Sequence, residues 1–175
     1  MAKPRMGLWV ARAQFLGLAG LVIFFHMLPL SLQPAQWAPP DVLLAFAFAW
    51  AQRRPDAVPP LMVAGVFLLT DLMFQRPPGL WAALVLVVIE WSKSRERRPV
   101  EAGFLLEWAG FAGAVVSITV VYRVVLRLVL VDTGPLHLAT TQAALTVAIY
   151  PLVVLLSHFI FGLRRAAPSD LDSAG

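Results

Sequence analysis

Six long, mostly apolar stretches divide this chain, and short clusters of charge separate them. They lie at about residues 11–30, 37–52, 58–74, 79–91, 103–122 and 138–163. An apolar helix of about 20 residues crosses the hydrocarbon core of a bilayer, which is about 30 Å thick. Only 14% of the residues are charged, whereas about 25% are charged in a typical soluble domain. We therefore predict an all-α integral membrane protein. Its six-transmembrane-helix bundle forms a single domain over residues 1–165, and residues 166–175 form a disordered cytoplasmic tail.

The placement of lysine and arginine predicts the orientation of this bundle. Eleven of the 14 basic residues lie in the N-terminal segment, the second and fourth connections and the C-terminal tail. Cytoplasmic loops carry an excess of these residues, so the pattern predicts that both termini are cytoplasmic (N-in/C-in). The second and fourth stretches are short, at about 16 and 13 residues, and are candidates for re-entrant segments. A re-entrant second segment would place basic clusters outside, so six short crossings fit the charges better.

The first stretch has the basic start of a signal peptide, but its uncharged run is too long for one. Residues 13–30 are all uncharged, whereas the apolar core of a signal peptide has about 7–15 residues. No small-x-small cleavage site follows the run. We therefore expect this stretch to be retained as the first span.

Residue types that carry catalysis or bind metals are sparse and scattered. The chain has no cysteine, which excludes a disulfide, thiol catalysis and a thiolate metal site. His26, His137 and His158 lie in different segments and match no zinc-ligand spacing. No nucleophile elbow occurs. We therefore expect no enzymatic activity, cofactor or metal. The net charge of +4 is expected to face anionic membrane lipid and not nucleic acid.

Three acidic residues, Asp71, Glu90 and Glu107, lie inside predicted spans, where burying a charge is costly. A proton or ion relay needs several acids near the middle of the membrane, whereas these lie toward the ends of their helices. Pairing is the simpler expectation. Glu90 and Glu107 are expected to pair with basic residues at 93–98, and Asp71 with Arg76 or a helix terminus.

Proline and aspartate mark the starts of two predicted helices. The Pro-Pro-Asp sequence at residues 39–41 predicts the start of the second helix, because a carboxylate there meets the positive end of the helix dipole. Asp56 and the two prolines at residues 59–60 are expected to open the third helix in the same way.

Two further features predict contacts with other molecules. Gly110 and Gly113 belong to overlapping small-xxx-small pairs, which let helix backbones approach closely in lipid. This spacing serves packing within the bundle as well as docking of another protein's helix. Arg123 and Arg127 share one helical face on the predicted outer side. They either extend to outer headgroups or meet an acidic partner.

One part of the sequence carries a more specific pattern. Its motifs are Pro40-Asp41-Val-Leu-Leu, Trp50-Ala-Gln-Arg53-Arg54-Pro55, a helix with Gly65 and Asp71, and Pro78-Gly79-Leu80. In this order they resemble the rod shape-determining protein MreD family over residues 39–91. Leu68 departs from the pattern, because the family usually has a glycine three residues before the aspartate.

The resemblance implies a six-helix fold similar to the substrate-binding components of vitamin transporters. It also implies a non-catalytic scaffold subunit of the cell-elongation (rod) complex in the bacterial inner membrane, which supports peptidoglycan synthesis and rod cell shape. MreC would be the direct partner. Through MreC the chain would join RodA, a class B penicillin-binding transpeptidase and MreB filaments. The matching positions would have structural or partner-docking roles: Pro40, Asp41, Arg53, Asp71 and Gly79.

A small-molecule substrate-binding component or a secondary transporter is the alternative function. Asp71, His26 and Glu107 are then the candidates for a ligand or ion site. Such a protein needs a polar cavity of ligand size within the bundle.

Overall fold

The computed structural model describes residues 3–28, 38–95 and 103–161. This part of the chain is helical and contains no strand. Its six α-helices are α1 (Lys3–Met27), α2 (Val42–Arg53), α3 (Pro60–Met73), α4 (Leu80–Arg95), α5 (Phe104–Leu128) and α6 (Leu136–Phe161). A short 3-10 turn, Pro55–Ala57, joins α2 to α3. The predicted all-α fold is confirmed for these residues.

Three helices in the described ranges are long and apolar enough to cross a membrane, which indicates a membrane protein. They are Gly7–Met27 of α1, the whole of α5, and Leu136–Phe159 of α6. In contrast, α2, α3 and α4 have 12, 14 and 16 residues, which corresponds to about 18, 21 and 24 Å. Six crossings and the orientation of the termini stay predictions.

Helices α1 and α4 extend further than the charge clusters predict, whereas α3 is shorter than its predicted stretch at residues 58–74. α1 begins at Lys3 instead of residue 11, and α4 continues to Arg95 instead of ending at residue 91. The physical reason is that a charge cluster marks the end of lipid burial, whereas lysine and arginine are good helix formers. The expected start of the second span at residue 37 and the expected tail at residues 166–175 lie outside the described residues.

The start of α2 agrees with its sequence signal, and that of α3 agrees for the two prolines, since Pro59 is its N-cap, but not for Asp56. Asp41 is the N-cap of α2, and its Oδ1 accepts a hydrogen bond from the Leu44 N–H at 2.9 Å. α3 begins with Pro60 and has no side-chain cap. The expectation that Asp56 opens α3 is wrong, because Asp56 lies in the preceding 3-10 turn. Its carbonyl accepts hydrogen bonds from the guanidinium of Arg12 in α1.

α2 lies at the centre of the bundle. All nine of its side chains between Leu43 and Ala51 are buried, and the helix contacts α1, α4 and α6. Four alternating alanines in this run leave room for close approach of the neighbouring helices. A helix that is apolar on every side and enclosed in protein is a core helix. Its length is therefore not tied to the thickness of a bilayer.

The outer faces of the long helices expose large apolar side chains. Examples are Phe24 in α1, Leu105 in α5 and Phe159 in α6, each more than half exposed. Apolar surface of this extent is unfavourable in water but matches the hydrocarbon of lipid tails. The exposed apolar faces and the lengths of the three helices thus lead to the same conclusion, that these helices are suited to a lipid environment.

Candidate functional site

A buried network of polar side chains joins α2, α5 and α6, and we call it the carboxylate cluster (Arg53, Glu107 and Tyr150). Arg53 Nη1 lies 2.8 Å from Glu107 Oε1, and Nη2 lies 3.3 Å from Oε2. The Tyr150 hydroxyl donates a hydrogen bond to Glu107 Oε1. The side chains of Arg53 and Glu107 are only 8% and 3% exposed. Arg53 Nη1 also donates to the Ala49 carbonyl. The ion pair is therefore both bidentate and shielded from solvent.

Aromatic rings enclose the carboxylate cluster. The rings of Phe111 and Tyr150 stack with centroids 4.2 Å apart, and the Phe48 ring meets Tyr150 edge-on at 6.1 Å. Nearby, the Trp108 indole N–H donates to the Val147 carbonyl at 2.9 Å and ties α5 to α6 again. With both carboxylate oxygens bonded and apolar rings around them, the cluster is suited to holding three helices together.

The structure corrects one predicted pair and confirms another. Glu107 pairs with Arg53, so its expected pairing with residues 93–98 is wrong. The reason is that α2 packs against α6 and brings its last residue beside the first turn of α5. Glu90 does pair with Lys93, at 2.6 Å, as expected. Tyr150 was not predicted, although a tyrosine deep in an apolar helix signals a hydroxyl that needs a partner.

Asp71 caps the start of α4. It is fully buried, and its Oδ2 accepts hydrogen bonds from the N–H groups of Gly79 and Ala82, at 2.9 and 3.2 Å. Gly79 has φ of 88°, a conformation that side chains with a Cβ rarely adopt. The expected contact of Asp71 with a helix terminus is confirmed. It forms no ion pair with Arg76 in the part of the chain that the structure describes.

The end of α3 positions Arg76. Gln75 adopts φ of 53°, and the Arg76 N–H then returns to the Asp71 carbonyl at 2.9 Å, as in a Schellman helix end. The guanidinium carbon lies 4.9 Å from the centroid of the Trp81 ring and 5.6 Å from that of Phe74. These cation–π contacts hold the charged group in place.

Arg123 binds the connection between α5 and α6. It donates hydrogen bonds to the Thr133 carbonyl and hydroxyl, at 3.0 and 3.2 Å, and to the Gly134 carbonyl at 3.1 Å. Arg127 is exposed, and its side chain has no hydrogen-bond partner among the described residues. The two arginines therefore differ in their surroundings, although they are one helical turn apart. Whether either meets a headgroup or an acidic partner stays a prediction.

A cavity of about 210 Å³ lies between the end of α5 and the starts of α4 and α6, and we call it the arginine cavity. Its walls include Arg76, Trp81, Tyr122, Arg123, Thr133 and Gln142. A second cavity of about 20 Å³, lined in part by His26, Asp41 and Arg76, lies beside it. Arg123 is 16 residues beyond Glu107 in α5, or about 24 Å along the helix. The arginine cavity and the carboxylate cluster thus lie at opposite ends of the bundle.

The small-residue face of α5 points away from the bundle. Gly110 and Gly113 are exposed, and a Cβ added at either would meet no atom within 4 Å. Their neighbour Ala114 is buried in the core. The small-residue spacing allows packing within the bundle or docking of another protein's helix. Gly110 and Gly113 do not serve packing within the described bundle.

The residues proposed for a transport or metal site do not converge. Of Asp71, His26 and Glu107, only His26 lines either of the two cavities. Within residues 3–28, 38–95 and 103–161, no three histidine or acidic side chains lie close enough to hold a metal ion.

Comparison of the chain with protein-family models, with curated proteins and with solved structures gave no match.

Proposed function

We propose that this chain is an MreD-like, non-catalytic scaffold subunit of the cell-elongation complex in the bacterial inner membrane. In this proposal all six helices cross the membrane, both termini are cytoplasmic, and the bundle resembles the substrate-binding components of vitamin transporters. The proposal starts from the motifs over residues 39–91. The enclosure of α2 by other helices supports the short crossings, because a helix without a lipid-facing side does not have to match the bilayer.

The observation that carries the proposal is that the polar residues of the motif cap helices and join them to one another. Asp41 caps α2, and its N–H donates to the Thr146 hydroxyl at 2.8 Å. Asp71 caps α4, and Arg53 forms the buried ion pair. Asp71 and Arg53 each fix one helix against another through the side chain, and Asp41 does so through its backbone N–H. These roles fit a bundle that acts through its shape and surface. A catalytic group would instead have to reach a substrate.

The exposed face of α5 is the surface that we assign to MreC. Leu106, Gly110, Gly113, Ser117 and Val120 follow one another at helical spacing and are all exposed. Three small residues at the centre of this row let a second helix approach to backbone contact. Through MreC, the chain would join RodA, the class B penicillin-binding transpeptidase and MreB filaments and so support rod shape.

Co-purification with MreC from mild detergent tests this assignment. Gly113→Leu is expected to reduce the recovery of MreC about tenfold or more, because the larger side chain separates the helices. Ala148→Leu places a leucine at an exposed small residue of α6 and serves as the matched control, with recovery unchanged. Equal recovery with both variants contradicts docking on α5.

Depletion of the protein in rod-shaped cells tests the function itself. Cells without it are expected to become round and to insert less new peptidoglycan. Cells that stay rod-shaped with normal wall synthesis refute the scaffold function, whatever the binding experiment shows.

The alternative, a small-molecule substrate-binding component or a secondary transporter, has less support. Its candidate His26 lines a cavity of about 20 Å³, which holds about one water molecule. Glu107 is bonded through both carboxylate oxygens to Arg53 and Tyr150, and Asp71 Oδ2 caps α4. Uptake that saturates with one solute would favour this alternative.

A further inference from the structure

Two arginines of different elements meet at the arginine cavity without a carboxylate between them. Arg76 follows α3 and Arg123 belongs to the last turns of α5. Both line the cavity, and none of its described wall residues is acidic. A partly buried guanidinium without a counter-ion is unfavourable, because it has lost hydration that no opposite charge replaces. The cavity is therefore an electropositive space that is partly open to its surroundings.

Many N–H donors of the two guanidinium groups have no acceptor within the ranges that the structure describes. Arg123 makes three hydrogen bonds, all to neutral oxygens, and a guanidinium carries five N–H groups. The side chain of Arg76 makes no hydrogen bond with any described residue, and its contacts are the two aromatic rings. Stacking on those rings fixes the guanidinium and leaves its N–H edge available for a ligand.

The nearby acidic groups each accept a hydrogen bond from a backbone N–H. Asp71 Oδ2 accepts from two N–H groups of α4, while its Oδ1 is buried without a hydrogen-bond partner among the described residues. Asp132 Oδ1 accepts from the Gly134 N–H, and Asp41 Oδ1 caps α2. The connection at residues 29–37 contains no aspartate or glutamate. No described carboxylate forms an ion pair with Arg76 or Arg123, so their charge is available to a ligand from outside the chain.

The position of the cavity indicates which anion is available. α5 and α6 are both long enough to cross a membrane, and the cavity lies where the chain turns from one to the other. The ends of spanning helices lie at the level of the lipid headgroups. Beside the cavity, Leu128 and Leu130 are 78% and 94% exposed, so apolar side chains face the adjoining hydrocarbon. Phosphate is the common anion at this depth.

We propose that the arginine cavity binds a phosphate group, held by Arg76 and Arg123, from a lipid headgroup or a soluble phosphate. The forked donors of arginine match phosphate oxygens in pairs. Tyr122 and Gln142 in the cavity wall offer hydroxyl and amide donors to the same group. A cavity of about 210 Å³ has room for several water-sized groups, which a phosphate and part of its headgroup would fill. This site does not depend on the scaffold function.

Binding to the purified full-length protein in phosphate-free detergent tests the proposal. The probes are dihexanoyl phosphatidylglycerol, dihexanoylglycerol, which lacks the phosphate, and inorganic phosphate. Binding is measured by thermal shift and by native mass spectrometry. The phosphatidylglycerol is expected to bind and to raise the melting temperature, whereas dihexanoylglycerol is expected to do neither. Inorganic phosphate that binds equally well supports the site and identifies a soluble phosphate as the ligand.

Three arginine variants separate this site from general positive charge. Arg76→Gln and Arg123→Gln are each expected to weaken phosphatidylglycerol binding about tenfold or more, because each removes a charge-assisted hydrogen bond to the phosphate. Arg127→Gln removes the same charge one turn beyond Arg123, outside the cavity wall, and is expected to bind like the unchanged protein. Arg76→Gln breaks no side-chain hydrogen bond to the described part of the chain, so it remains informative if Arg123→Gln does not fold.

Three results would overturn the proposal. In the first, no phosphate probe binds. In the second, Arg76→Gln binds as tightly as the unchanged protein. In the third, Arg127→Gln weakens binding as much as Arg76→Gln does, which would mean that surface charge alone attracts the lipid.

Discussion

Replacement of Glu107 by leucine leaves the guanidinium of Arg53 buried without its carboxylate. The guanidinium is only 8% exposed, so water cannot compensate for the lost charge. Two unit charges about 4 Å apart attract each other by about 4 kcal/mol at an effective dielectric constant of about 20. Tyr150 also loses its charged acceptor, which costs about 1.5–3 kcal/mol in other proteins. Because such terms overlap, we expect Glu107→Leu to lower the free energy of unfolding by about 3–5 kcal/mol.

A second substitution shows whether the loss comes from the unpaired charge. Arg53→Met together with Glu107→Leu removes both charges and leaves apolar side chains of similar length. Replacing a whole buried pair is often neutral or stabilising. We therefore expect the double variant to recover more than half of the stability that Glu107→Leu loses.

Equilibrium unfolding in mixed micelles, followed by the fluorescence of the six tryptophans, measures these differences. Glu90→Leu is the matched control, because the Glu90 side chain is 38% exposed in its pair with Lys93. Lys93 also keeps its hydrogen bond to the Val58 carbonyl at 2.6 Å. The control is expected to cost less than about 1 kcal/mol.

A loss from Glu107→Leu no larger than that from Glu90→Leu would refute the reasoning, since a buried pair and a pair with a partly exposed carboxylate would then be equivalent. A double variant less stable than Glu107→Leu would also refute it. In that case Arg53 would stabilise the bundle by a means other than its pairing with Glu107.

Three further substitutions test helix ends by the same measurement. Asp71→Asn weakens the cap on the N–H groups of Gly79 and Ala82. It is expected to lower the free energy of unfolding by about 1–2 kcal/mol. An unchanged free energy would mean that the carboxylate does not cap α4. Gly79→Ala places a Cβ at φ of 88° and is expected to cost about 1–2 kcal/mol, and an unchanged stability would contradict that turn. Leu130→Gly relieves φ of 58° at an exposed side chain and is expected to add about 0.5–1 kcal/mol. Its control, Leu128→Gly in the last turn of α5, is expected to lose about 1 kcal/mol; a loss in both would contradict a left-handed residue at Leu130.

Local signals in the sequence predicted the helices, because each signal depends on a few neighbouring residues. The apolar runs located all six helices, Asp41 predicted the start of α2, and the helix-terminus contact of Asp71 was among the expectations. The errors also have a local origin. Charge clusters bound the apolar runs but do not end helices, so α1 and α4 are longer than predicted.

The sequence by itself determined that this chain forms apolar helices, because composition and periodicity act through short-range forces and solvent preference. Only the tertiary structure decided which side chains meet. Glu107 binds Arg53, 54 residues away, because packing around α2 brings these positions together and a buried charge pairs with the opposite charge that packing supplies. The rotation of α5, with Phe111 in the core, turns Gly110 and Gly113 outward. Such a rotation depends on every helix that α5 touches, so no local pattern contains it.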